Sequence, residues 1–236
     1  MHRVDWVSRS TEIVRDSRFV LRAMQPNTVN FPRDSAQLDG ILEAADADDI
    51  LKDDRTTTVS KVVIDGQSLI LKRYNARNHW HTVKRAFRKS RARRCWKMSF
   101  EFKRAGLNVS EPVMMFEDRY ILVRKDAYFA NRLLSGDELL TKLPDMSEPE
   151  KQQVKAAIFQ AFKTMAQAKI SHGDMKATNL LWVDQQLYFI DLDAAKKHAH
   201  WSPMWSKAHT KDKKRFLKNW DTQPELLTLF SDLTAD

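Results

Sequence analysis

His172-Gly173-Asp174-Met175-Lys176-Ala177-Thr178-Asn179, followed by Ile190-Asp191-Leu192-Asp193, is the stretch on which the reading of this chain turns. Asp174 and Asn179 stand five apart, a spacing that fits a short loop. Asn179-Leu180-Leu181-Trp182-Val183 and Leu187-Tyr188-Phe189-Ile190 read as strands, with Asp184-Gln185-Gln186 turning between them, so Asp191 ends the return strand of a hairpin. Groups placed in this way suit phosphoryl transfer from a nucleoside triphosphate. Asp174 can orient and deprotonate an attacking hydroxyl, Asn179 and Asp191 can hold Mg²⁺ against the triphosphate, and Lys176 can neutralise charge on the transferred group. A lone His-x-Asp would mean little. Here the spacing, the hairpin and the apolar-apolar-Asp ending all match at once.

Working outward, Lys151 to Lys169 reads as a helix leading into His172. Val154, Ala157, Ile158, Ala161, Phe162 and Met165 recur on one apolar stripe. Further upstream, Thr57–Ile64 and Ser68–Tyr74 are β-rich runs joined by Asp65-Gly66-Gln67, a hairpin with an Asp-Gly turn. Alternation puts Ile70, Lys72 and Tyr74 on one face of the second strand and Leu69 and Leu71 on the other. That arrangement suits a nucleotide cleft, with Ile70 against the adenine and Lys72 at the α- and β-phosphates. Trp80 to Arg104 reads as a long basic helix ended by Gly106, with Trp80, Val83 and Phe87 at helical spacing. Glu101 is its only acidic residue. It is either the ion-pair partner that fixes Lys72 or a surface carboxylate balancing the basic helix. Tyr120–Val123 reads as a strand with Arg124-Lys125-Asp126 as a hinge after it, and Asp39–Asp54 as a short helix and a loop.

Composition narrows the class. At 236 residues and 42% apolar content, with 12 Phe and 7 Trp, the chain suits one compact domain or two packed lobes. The single cysteine, Cys95, excludes an internal disulfide framework and fits a reducing compartment. The first residues have no apolar core like that of a signal peptide, and no stretch approaches the roughly eighteen apolar residues of a membrane-spanning helix. The expectation is a cytosolic protein, or one bound only to a membrane surface. Five glycines argue against glycine-rich P-loop and dinucleotide-binding folds.

The net charge of +9 is unevenly placed. Between Asp65 and Glu101 there is no acidic residue, while Lys72, Arg73, Arg77, Lys84, Arg85, Arg88, Lys89, Arg91, Arg93, Arg94 and Lys97 all fall there. A second run, Lys196 to Lys218, mixes lysines with Trp201, Trp205 and Phe216. Basic charge of this density implies a polyanionic partner: phosphate groups, an anionic membrane or nucleic acid.

Lys72 on a strand, the helix ending Glu101-Phe102-Lys103-Arg104-Ala105-Gly106-Leu107, the HGDMKATN loop and the IDLD hairpin end together resemble the bacterial lipopolysaccharide-core kinases. These are Kdo and heptose kinases of a small protein-kinase-like fold. The resemblance covers roughly residues 50 to 220 and includes Ser90-Arg91-Ala92-Arg93-Arg94 and Lys211-Asp212-Lys213-Lys214-Arg215-Phe216-Leu217. It implies an α+β, two-lobed architecture within one kinase-like domain. The β-rich N-lobe over residues 1–125 would carry the basic helix and the ATP lysine. The small, mainly helical C-lobe over residues 126–236 would carry the catalytic loop and the metal-binding hairpin. It implies Asp174 as catalytic base assisted by Lys176, Lys72 with Glu101 and Ile70 at ATP, and Asn179 and Asp191 at Mg²⁺. The γ-phosphate of ATP would pass to a Kdo or heptose hydroxyl of a lipid-anchored core oligosaccharide at the cytoplasmic face of the inner membrane, with an anionic membrane surface rather than nucleic acid as partner.

The sequence departs from the family pattern in the phosphate loop, Lys52-Asp53-Asp54-Arg55-Thr56-Thr57-Thr58, which has no glycine. Asp193 stands where protein kinases have the glycine of DFG. Only 45 residues follow Asp191, without an Ala-Pro-Glu, which points to a small or lipid-linked acceptor rather than a polypeptide. Alternative readings are the small atypical kinase of the tRNA threonylcarbamoylation complex, whose basic surface would serve tRNA, and a membrane-associated pseudokinase scaffold. His198, His200 and His209, or His79 and His81, have no cysteine or carboxylate at a spacing that completes a four-ligand metal set.

Overall fold

Asp65 and Gly66 adopt φ values of +51° and +73°, as a two-residue hairpin turn with left-handed central residues requires. They join strands β4 (Thr57–Ile64) and β5 (Gln67–Tyr74), paired in register from Thr57↔Tyr74 to Ile64↔Gln67. The computed structural model describes residues 11–15, 19–24, 37, 39–41, 43, 50–54, 56–74, 90–120 and 123–234. Trp80, Val83 and Phe87, with the basic residues from Arg77 to Lys89, lie outside the described residues, as do Arg55, Ile121 and Leu122. The chain divides into two compact units: residues 1–97 with 111–133, and residues 98–110 with 134–236.

The first unit is built on a seven-stranded antiparallel sheet in the order β1-β2-β7-β8-β5-β4-β3. Its remaining strands are β1 (Thr11–Arg15), β2 (Phe19–Met24), β3 (Ile50–Asp54), β7 (Pro112–Tyr120) and β8 (Val123–Arg132). One face packs Leu21, Ala23, Leu69, Leu71, Met114, Phe116, Tyr128 and Ala130 into a core.

Two expectations need correction here. Arg124-Lys125-Asp126 is not a hinge but lies within β8, at whose start Val123 pairs with Tyr120 at the end of β7. The charged run reads as a loop in isolation. In the sheet, Asp126 accepts hydrogen bonds from Arg73 on β5 at 3.1 and 3.2 Å, so neighbouring strands satisfy its charge. Residues 50–54 likewise form β3, an exposed strand paired with β4, rather than part of a helix and loop.

Helix α1 (Arg91–Ala105) begins at Ser90, whose hydroxyl accepts the Arg93 amide at 2.9 Å. Its first half is counted with the first unit and its second half, from Met98, with the second. Among the described residues no helix is long and apolar enough to cross a membrane.

The second unit is mainly helical around a small sheet in the order β6-β12-β11-β9. These strands are β6 (Asn108–Val109), β9 (Asp137–Glu138), β11 (Leu180–Val183) and β12 (Gln186–Phe189). A second pair joins β10 (Ile170–Ser171) to β13 (Lys196–Lys197). After the short α2 (Leu139–Lys142), α3 (Glu148–Ala168) starts in a capping box between Ser147 and Glu150. Its buried residues are Val154, Ile158, Ala161, Phe162 and Met165, which with the partly buried Ala157 make the stripe the periodicity predicts. That stripe packs with Phe102, Phe189, Phe216 and Trp220 into one core. Helices α4 (Met204–Leu217) and α5 (Pro224–Leu229) complete the unit.

On α4, the His209 ring lies tilted against Trp205, with centroids 4.6 Å apart, and meets Phe162 edge-on at 5.7 Å. Burial, reinforced by Lys213 and Lys169, lowers its pKa to about 4. The folded protein therefore holds this ring neutral where the unfolded chain takes up a proton, so acidification from about pH 6.5 to 4 favours unfolding. Asp212, buried on the same helix, is pushed up to about 6 by burial. It acts with the opposite sign: its contribution to stability is full below its ordinary value and is lost as pH rises through about 6. Comparing His209→Phe with the parent protein across this range cancels the Asp212 contribution. The variant should gain about 1–2 kcal/mol relative to the parent between pH 6.5 and 4, allowing for solvent around a half-buried ring. Melting temperature against pH for both proteins measures it, and parallel curves would rule the assignment out.

Candidate active site

The loop from His172 to Asn179 connects β10 to β11 within the second unit, and its shape is imposed from outside the loop. Asp212 on α4 is fully buried, and its carboxylate accepts the His172 amide at 2.7 Å and the Gly173 amide at 2.9 Å. Burial raises its pKa to about 6, while the two amides and Lys211 oppose that rise. His172 is itself fully buried, with Nε2 at 3.0 Å from the carbonyl of Ile190 and its ring packed beside both Phe102 and Phe189. It is therefore a structural member of the loop, tying it to the end of β12. Gly173 has φ +85°, and a Cβ there would lie 2.7 Å from the carbonyl oxygen of Ala194. Both the dihedral and the close backbone demand glycine.

Held in this way, Asp174 faces solvent with about a third of its side chain exposed, between two cations. Lys176 Nζ lies 3.0 Å from one carboxylate oxygen and Arg215 Nε 3.5 Å from the other. Arg215 is braced by Asn219, whose side-chain oxygen accepts from its guanidinium at 3.2 Å. The Asn219 amide nitrogen donates in turn to the carbonyl of Met175, at 3.3 Å, and to that of Phe216, at 2.7 Å. Helix α4 and the turn after it thus grip the first half of the loop.

Asn179 is buried, and its side-chain nitrogen donates to the carbonyl of Asp174 at 2.9 Å. That bond fixes the amide's orientation and leaves its oxygen as the acceptor end. The Asn179 carbonyl accepts the Ile190 amide at 3.0 Å, which sets Asp191 directly beyond the same ladder. Asp191 occupies the left-handed region, with φ 57° and ψ 59°, a conformation that is strained for a residue with a side chain and clusters at functional sites. The 3₁₀ turn Leu192–Ala194 follows it. Among the described residues no three or more His, Cys, Asp or Glu converge as a metal cage. An amide oxygen and one carboxylate suit Mg²⁺, which characteristically takes one or two protein carboxylates and completes its shell with water and nucleotide phosphates.

In the first unit, β5 shows the expected alternation. Leu69 and Leu71 enter the core, while Ile70 and Lys72 are half-buried on the opposite face with Tyr74. That face receives the first half of α1: the Tyr74 hydroxyl lies 3.4 Å from Cys95 Sγ, and Arg91 sits 4.8 Å over the Tyr74 ring. Glu117 on β7 shares the face through the register Tyr74↔Ala127↔Glu117 and is 3% exposed. Sequence reading missed this buried carboxylate, because β7 is an almost continuous buried run with no alternation to mark its faces. Glu101 belongs to the second unit and is ion-paired with Arg104 at 3.5 Å and Lys197 at 3.7 Å.

The expected phosphate loop is the tight β3–β4 connection. Asp54 accepts the Thr56 amide at 2.8 Å, the Thr56 hydroxyl at 2.7 Å and the Thr57 amide at 2.9 Å. The Thr56 hydroxyl and amide hold this carboxyl well below the usual carboxylate range. Without glycine, the turn is shaped by a side chain that satisfies its own amides. Arg91 donates to the Thr57 hydroxyl at 3.0 Å beside it.

Asp212 is the principal residue that sequence reasoning passed over. The signal was present: position 212 falls on the stripe of Trp205, His209 and Phe216, at helical spacing. An acidic residue on the inner face of a basic helix demands buried donors.

The family model described as "Lipopolysaccharide kinase (Kdo/WaaP) family" matches residues 46–229. A solved structure described as "WaaP in complex with acyl carrier protein" superposes with a TM-score of 0.54 at 18% identity, covering 82% of this chain and 86% of that one. This likeness shows a kinase-like fold of mixed helix and antiparallel sheet. No curated protein matches the sequence.

Proposed function

The chain belongs to the lipopolysaccharide kinase (Kdo/WaaP) family, and from that premise we propose that it transfers the γ-phosphate of ATP to a Kdo or heptose hydroxyl of the lipid-anchored inner core, at the cytoplasmic face of the inner membrane. The observation that carries the reading is the loop pinned by Asp212, which presents Asp174 at the surface between Lys176 and Arg215.

In this mechanism Asp174 accepts the proton of the sugar hydroxyl as its oxygen attacks the γ-phosphorus. The bond to the β–γ bridging oxygen breaks and ADP leaves. Lys176, already at 3.0 Å from Asp174, turns toward the transferred group as negative charge spreads over its oxygens. Arg215, braced by Asn219, is placed to receive an anionic part of the acceptor beside the base. The Asn179 oxygen and the Asp191 carboxylate would hold the metal, and Lys72, next to Ile70, takes the α- and β-phosphates. A bound Mg²⁺ would neutralise phosphate charge and template the triphosphate. Glu101 remains the proposed partner of Lys72.

The test is mass spectrometry of Kdo-lipid A and of core lipopolysaccharide after incubation with the protein and Mg-ATP. The expected result is a gain of one phosphate on a Kdo or heptose residue, located by fragmentation. No gain on any core acceptor, from protein shown to bind Mg-ATP, would reject the proposal.

A further inference from the structure

The second basic run, Lys196 to Lys218, is sorted by the fold into two sides. Trp205, Phe216, Asp212 and Lys213 are buried. Met204, Lys207, Lys211, Lys214 and Lys218 recur at spacings of three and four residues and are all exposed, so they form a single stripe along the outer face of α4 and the turn that follows it. Among the described residues none of these four lysines forms an ion pair. Just before the helix, Trp201 is 86% exposed and Met204 67% exposed. No acidic residue occurs between Asp193 and Asp212.

An ordinary solvated helix face mixes both charge signs and does not present an indole at its end. We propose that this stripe, together with the Trp201–Met204 turn, is the surface by which the protein lies on an anionic phospholipid bilayer. The lysines would meet lipid phosphates, while Trp201 and Met204 enter the boundary between headgroups and acyl chains, where an amphipathic ring is favoured. The lysine stems lie along the interface with their ammonium groups in the headgroup layer. This deepens the membrane part of the proposed function by naming the residues that make the contact. It does not depend on which sugar is phosphorylated.

Sedimentation of the full chain with vesicles tests it, without nucleotide or sugar. Vesicles of phosphatidylethanolamine with phosphatidylglycerol should carry the protein down at low salt, and pure phosphatidylcholine vesicles should not. Each lysine at such a surface contributes about five-fold to partitioning. Lys207→Gln, Lys211→Gln and Lys214→Gln together should therefore weaken binding about a hundred-fold. Lys97→Gln, Lys103→Gln and Lys163→Gln, which remove the same charge from exposed positions elsewhere, should weaken it far less. Brominated lipid should quench tryptophan fluorescence in the parent protein and lose most of that effect in Trp201→Ser. Unchanged melting temperatures would show that the variants fold.

Equal losses from both lysine triplets would reduce the effect to net charge and overturn the proposal. So would unaltered quenching in Trp201→Ser, or failure of the parent protein to bind anionic vesicles, including the case in which it binds RNA instead. Because the assay contains no ATP and no acceptor, failure here leaves the phosphotransfer reading standing, and failure of phosphotransfer leaves vesicle binding intact.

Discussion

Asp174→Asn should lower turnover by about 10³-fold, since a positioned general base contributes roughly 10²–10⁴, while leaving the fold and the affinity for Mg-ATP close to those of the parent protein. The substitution keeps the shape of the side chain but removes the charge and most of the proton affinity. The architecture around it does not depend on that carboxylate. The loop is held by the amides of His172 and Gly173 on Asp212, by the Asn179 amide on the Asp174 carbonyl, and by Asn219 on the Met175 carbonyl. Only Lys176 and Arg215 would lose an ionic partner, and both are partly exposed, where such pairs are worth little. Turnover at saturating Mg-ATP, nucleotide binding by calorimetry and a melting curve separate these effects. Turnover within ten-fold of the parent would remove Asp174 from the role of base.

Asp212→Ala should be damaging for a different reason. It touches no reacting atom, yet its removal strands two amides in a fully buried site. Each unsatisfied buried donor costs about 1–3 kcal/mol, so destabilisation of about 2–5 kcal/mol is expected, with loss of activity because the loop that carries Asp174 is no longer held. Asp212→Asn should be milder, since its carbonyl keeps one of the two bonds while its NH₂ opposes the other amide. Hydrogen exchange at His172 and Gly173 is the direct readout. Both amides should lose protection in Asp212→Ala, and a variant that melts like the parent with both amides still protected would show that the loop holds its own shape.

The candidate site was legible where its chemistry is local in sequence. The β11–β12 hairpin, the loop before it and helix α3 follow from alternation, turn residues and a 3.6-residue period. The β4–β5 hairpin follows from Asp65-Gly66. The β7–β8 hairpin did not emerge, because β7 is buried with little alternation and β8 opens with charges that only a neighbouring strand can satisfy. The β1–β2 hairpin pairs onto β7 across almost a hundred residues, a contact that no local pattern encodes. The glycine-free turn was readable as an anomaly, but not its remedy, the Asp54 carboxylate bonded to the amides of Thr56 and Thr57.

The sequence by itself determined the identity and spacing of the proposed reacting groups, because Asp174, Lys176, Asn179 and Asp191 lie on one short loop and the hairpin after it, where covalent connection limits their separation. Tertiary structure alone decided how that loop is held and which charges face outward. The carboxylate that fixes it comes from a helix about forty residues downstream. The same helix turns Asp212 inward, where the His172 and Gly173 amides meet its charge, and Lys207, Lys211 and Lys214 outward into solvent.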